Sequence, residues 1–104
     1  MYSRAEILTP RLIYKTPEKF KVYQNVPNPF LTTTIVGFMQ PKGGEVKLSV
    51  FDVNGKEVYR TEGSFEKGYH EFQIKKEHLN TSGVLFYKVD MGSFSKIKKM
   101  ILIN

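Results

Sequence analysis

From residue 20 onward, turn-forming residues cut the chain into short runs in which apolar side chains recur at every second position. That period belongs to half-buried strands. The clearest run is 45–53, where Val46, Leu48 and Val50 alternate with Lys47 and Ser49. Asn54-Gly55 follows, and both residues tolerate the positive φ of a two-residue type I′ turn, so 56–61 is expected to return as the partner strand. Residues 62–68, with two glycines, read as a loop. Residues 69–75 alternate again, 76–82 are polar with room for one helical turn, and 83–91 pairs with 94–103 across Gly92-Ser93. Upstream, 20–24 and 32–39 are strands, the second stopped by Pro41-Lys42-Gly43-Gly44. No amphipathic helical pattern competes. About seven strands, with turn signals at intervals of about 8–12 residues, predict an all-β fold: an immunoglobulin-like β-sandwich of antiparallel strands.

Length allows one domain, 104 residues in all. Its first part differs in character: 1–19 carries Pro10 and Pro17, which hold their preceding residues extended. It reads as a linker or N-terminal extension, with at most an edge strand at Leu12-Ile13-Tyr14. The domain proper is 20–104. No apolar core of a signal peptide opens the chain, and no run approaches the roughly 18 apolar residues of a membrane helix. Membrane insertion is therefore not expected, and an exported form would draw its signal from a longer precursor.

The chain has no cysteine, which excludes disulfides, thiolate metal sites and a cysteine nucleophile. His70 and His78 have no metal-ligand spacing, serine nucleophile elbows are missing, and Pro41-Lys42-Gly43-Gly44 precedes a strand where a phosphate loop opens a helix. Glu57, Glu62, Glu66, Glu71 and Glu77 fall at strand ends and loops. No catalytic residue, metal or cofactor is expected, and the chain does not read as an enzyme. The net charge of +6 is spread along the sequence. Only Lys75-Lys76 and Lys96, Lys98 and Lys99 cluster, so the charge reads as a solvated surface and not as a nucleic-acid footprint.

One tract exceeds what packing alone demands. In Asn28-Pro29-Phe30, just after Pro27, the prolines fix φ and remove donors, making a rigid corner. Phe30 is placed to plug the end of the sandwich, and Asn28 to cap the turn through its side chain.

The tract Tyr23-Gln24-Asn25-Val26-Pro27-Asn28-Pro29-Phe30 is followed by Thr33-Thr34-Ile35 and by Val46-Lys47-Leu48-Ser49-Val50-Phe51-Asp52-Val53-Asn54-Gly55-Lys56. Then come Gly68-Tyr69-His70, Leu79-Asn80-Thr81-Ser82-Gly83, Phe86-Tyr87-Lys88-Val89 and a lysine-rich closing run at 96–103. In this order the pieces resemble the type A C-terminal sorting domains of the type IX secretion system of Bacteroidetes-type bacteria. The resemblance implies a folded signal at the end of a larger cargo protein. An outer-membrane translocon would recognise it, and a sortase-like peptidase would cut the preceding linker. The route would run through the periplasm to the cell surface or the medium. Recognition is expected at Asn28, Pro29 and Phe30 and on the closing strand at Lys96, Lys98, Lys99 and Met100, with Gly68 and Gly83 shaping turns. Self-association is left open. The alternative is an immunoglobulin-like adhesion or assembly module of a surface protein, which an exposed aromatic platform would favour.

Overall fold

A computed structural model describes residues 19–103. The expected linker, with its edge strand at Leu12-Ile13-Tyr14, lies outside the described residues, Lys19 excepted. Seven strands follow in chain order: β1 (Lys21–Val22), β2 (Thr33–Gln40), β3 (Gly44–Phe51), β4 (Glu57–Phe65), β5 (Gly68–Lys75), β6 (Gly83–Met91) and β7 (Phe94–Leu102). A single 3-10 turn, Lys76–His78, sits where one helical turn was expected.

The strands form two antiparallel sheets in the orders β1-β2-β5 and β4-β3-β6-β7. Their inner faces make the sandwich predicted from the alternation. Val36, Phe38, Phe72 and Ile74 from the first sheet meet Val46, Leu48, Val50, Leu85, Val89, Met100 and Leu102 from the second. In immunoglobulin lettering the sheets are A-B-E and C′-C-F-G. The fourth strand has therefore joined the sheet opposite the one it occupies in a constant-type domain.

Two expectations need correction. The β3–β4 hairpin exists, but its turn is not type I′. The Gly55 N–H bonds the Asp52 carbonyl at 3.0 Å, and Gly55 takes φ of +84° while Asn54 stays at negative φ. The Asp52 carboxylate decides this, accepting from the Asn54 and Lys56 N–H groups at 2.9 and 3.0 Å. That arrangement lengthens the turn and shifts the register between Val50 and Phe51. The second correction concerns the first part of the expected loop at 62–68, which is strand. Glu62 pairs with Lys47, Gly63 with Val46 and Ser64 with Glu45. The Phe65 ring covers Gly63, supplying the packing surface that the glycine lacks.

Only Glu66 and Lys67 remain to carry the chain from β4 to β5 in the other sheet. Gln40 fastens this crossing, its side-chain amide donating to the Phe65 and Glu66 carbonyls at 2.9 and 2.7 Å. Phe65 packs edge-on against Phe38 and Phe72, with centroids 5.2 and 5.4 Å away. One flank of the sandwich is closed this way.

Candidate recognition site

The opposite flank is closed by the proline corner. After β1 the chain still follows β2: the Tyr23 N–H bonds the Gly37 carbonyl at 2.9 Å, and Val26 exchanges bonds with Ile35 at 3.0 and 2.9 Å. It then turns through Pro27 and Pro29, both preceded by cis peptide bonds, and crosses to the other sheet. There Phe30 lies parallel to β7, donating to the Ile101 carbonyl and accepting from the Ile103 N–H, each at 2.9 Å. A strand that changes sheets needs a corner without unpaired donors, and proline has no N–H to leave unpaired.

Asn25 holds the corner from inside. It is fully buried, and its side-chain amide donates to the Thr34 hydroxyl at 3.0 Å and the Pro27 carbonyl at 3.1 Å. The Thr34 hydroxyl donates to the same carbonyl at 2.8 Å, and the Gln24 amide donates to the Asn25 side-chain oxygen at 2.6 Å. From β6, the phenol of Tyr87 accepts the Asn25 N–H at 3.0 Å and donates to the Tyr23 carbonyl at 2.8 Å. Burial pushes that phenol up to about 12, against a smaller downward pull from the Asn25 N–H.

The corner also grips the closing strand from its open side. Asn28 accepts the Ile101 N–H on its side-chain oxygen at 2.9 Å, and the Gln24 amide donates to the Lys99 carbonyl at 2.7 Å. Asn28 was expected to cap its own turn, but it caps the outer edge of β7. The structure thus brings Asn28, Pro29 and Phe30 together with the end of the closing strand. Asn28 and Pro29 are exposed, while Phe30 and Met100 are buried in the core. Those two residues hold the shape of the corner from inside and expose almost no surface of their own. Gly83 sits at this same end, paired with Leu102, whereas Gly68 lies at the β4–β5 crossing beside Gln40. Their φ values, +94° and +120°, suit glycine at each position.

Lys96 and Lys98 are elsewhere. They share the inward alternation of Met100 and Leu102, and an open groove beside them is lined on its other side by Lys19 and by Lys21, the exposed neighbour of buried Val22 in β1. Together with Phe20, Val22, Tyr23 and Ile97 the four lysines line this groove of about 330 Å³, which has no acidic side chain among its described residues. The charge spread thinly in sequence is thus concentrated in space. Lys99 faces outward from the same strand, in the alternation that separates it from Lys98.

Sequence reasoning passed over Asn25, Thr34 and Tyr87 as site residues. The signal for Tyr87 was present: it takes the middle, inward position of Leu85/Tyr87/Val89, and a buried phenol needs hydrogen-bond partners. An exposed aromatic pair, Tyr23 and Tyr69, also exists, with ring centroids 6.0 Å apart and tilted by 54°. Tyr69 lies over Gly37 and donates to Glu71 at 2.9 Å, which fits a ring covering a strand glycine better than a flat stacking platform. Among the described residues no three His, Cys, Asp or Glu side chains gather, and no helix is long and apolar enough to cross a membrane.

Comparison with known families agrees with this architecture. The model of the secretion system C-terminal sorting domain matches residues 21–104. The chain belongs to that family, the sorting domains of type IX secretion. No curated protein and no solved structure matches it. Membership makes it a sorting module for a secretion route that ends at the cell surface or outside the cell, in a family whose members are signals and not enzymes.

Proposed function

We propose that this domain is the C-terminal signal that takes a larger upstream cargo through the type IX translocon of the outer membrane. A sortase-like peptidase then cuts within residues 1–19, and the domain itself performs no chemistry. The observation that carries the reading is the joining of the proline corner to the closing strand in one hydrogen-bonded unit. Asn28, Phe30 and Gln24 all bond β7, so the family's two most telling sequence tracts form a single surface. A translocon presented with a folded domain meets the exposed Asn28 and Pro29 beside the Lys99–Ile103 end of β7, held in place by buried Phe30 and Met100, and meets Lys96 and Lys98 in the groove farther along the same strand.

The test is a secretion assay in a bacterium that has the type IX machine. Residues 20–104, placed behind a signal peptide and a fluorescent reporter, are expected to carry the reporter to the surface or the medium. The variant Lys96→Glu/Lys98→Glu, which leaves the buried core untouched, is expected to strand it in the periplasm. A wild-type fusion that folds, resists protease and still stays in the periplasm overturns the reading.

A further inference from the structure

The closing strand is covered along only half of its outer edge. In an antiparallel strand the N–H and C=O of one residue point to the same side, and alternate residues share that side. Lys99, Ile101 and Ile103 turn theirs toward the corner, where Gln24 bonds the Lys99 carbonyl, Asn28 and Phe30 bond the two Ile101 groups, and Phe30 accepts the Ile103 N–H. Ser95 and Ile97 therefore face the same way, and among the described residues nothing bonds their N–H or C=O groups. Two consecutive outward-facing residues form a short docking ladder, and an added strand would pair with them as strands pair within a sheet.

Side chains define what such a strand must carry. Ile97 and Phe94 are 64 % and 51 % exposed. Phe94 leans on Phe20 across the mouth of the groove, with centroids 6.3 Å apart. The added strand would have Lys96 and Lys98 of β7 on its inner side and would run along the groove whose other side carries Lys19 and Lys21, with no carboxylate among the described groove residues. A second copy of the chain would bring the same lysines to this edge and be repelled. Inward-pointing lysines on an edge strand serve that purpose in β proteins generally.

We infer that the Ser95–Ile97 edge of β7 accepts an extended acidic segment of a protein partner as an added strand. Its acidic side chains enter the Lys19/Lys21/Lys96/Lys98 groove, and its apolar side chains lie against Ile97 on the outer face. This builds on the reading of the domain as a recognised signal and names the chemistry of the segment that reads it.

The experiment uses the full chain, 15N-labelled, and an acetylated, amidated heptapeptide of alternating Glu and Val. A Lys-for-Glu version of the peptide and a ten-nucleotide oligo-dT serve as comparators. The Glu peptide is expected to bind and to slow hydrogen exchange at the Ser95 and Ile97 amides, and the Lys peptide is expected to do neither. Ile97→Pro removes an outward N–H that β6 does not use, so the fold should persist while affinity drops about tenfold. Ile97→Val should bind as wild type does. Lys96→Glu/Lys98→Glu should reverse the preference between the two peptides. The inference is overturned by Glu-peptide binding without protection of those amides, or by affinity indifferent to Ile97→Pro in a folded protein. Oligo-dT competing as strongly as the peptide, or a peptide-resistant dimer in sedimentation, would overturn it equally. Because no secretion step enters this assay, its failure is separable from failure of the sorting reading.

Discussion

Tyr87 places a phenol where the alternation of β6 leads one to expect a hydrocarbon, and its hydroxyl joins the A-strand region to the F strand by two hydrogen bonds. Tyr87→Phe keeps the ring and leaves the Asn25 N–H and the Tyr23 carbonyl without that partner. Losing bonds to groups inside a packed corner costs about 1–3 kcal/mol, which urea unfolding at pH 7 should register. The pH dependence has a definite sign. The folded phenol titrates near 12, above the usual tyrosine value of 10, so between those values the native state holds a proton that the unfolded state has released. Stability from this group is complete below about pH 10 and is lost as pH rises through about 12, at up to roughly 1.4 kcal/mol per unit. The gap between wild type and Tyr87→Phe should accordingly narrow when unfolding is measured at pH 11.

The element with most consequence is β7, held on one side by β6 and on the other by the corner. Asn28→Ala removes the acceptor for the Ile101 N–H on an exposed flank. The expected cost is about 0.5–1.5 kcal/mol, and native-state hydrogen exchange should show the Ile101 amide opening faster, with little change at the β3–β6 ladder. The β3–β4 hairpin shows the limit of reading turns from dipeptides. Asn54-Gly55 identified a reversal in the right place, but the carboxylate of Asp52, two residues earlier, selected its geometry. In β4, Gly63-Ser64 looked like loop because glycine is poor in strands. A cross-strand partner at Val46 and the Phe65 ring outweigh that preference, and neither is visible in local sequence.

At the scale of the whole molecule, the sandwich is closed on each flank by a segment that passes between sheets: the Glu66-Lys67 crossing fastened by Gln40, and the proline corner fastened by Asn25 and Tyr87. Met100 and Leu102 belong to the shared core, and Phe30 depends on β7 for both of its backbone bonds. Deleting residues 96–104 is therefore expected to unfold the domain, seen as collapse of its dispersed NMR spectrum, and not merely to trim a tag from an intact fold. Loss of sorting on such a truncation would report loss of the fold. Charge reversal at Lys96 and Lys98 is the discriminating change, because those side chains line an open groove.

Strand number, the sandwich class and the position of the corner followed from sequence by itself. Periodicity of two and turn residues are local properties, and a chain cannot satisfy them with helices. The family resemblance rested on the same local tracts, and it placed Asn28, Pro29, Phe30 and the closing strand among the residues of interest. Which of those residues a partner can touch was settled only by tertiary packing, which buried Phe30 and Met100 and left Asn28, Pro29 and Lys99 outside. The bonds from Asn28 to Ile101 and from Tyr87 to Asn25 span 73 and 62 residues of chain, beyond the reach of any local pattern. The groove of four lysines arises in the same way. Lys19 and Lys21 line the same groove as Lys96 and Lys98 because the sandwich sets β1 beside β7 of the other sheet, a neighbourhood that no spacing along the sequence encodes.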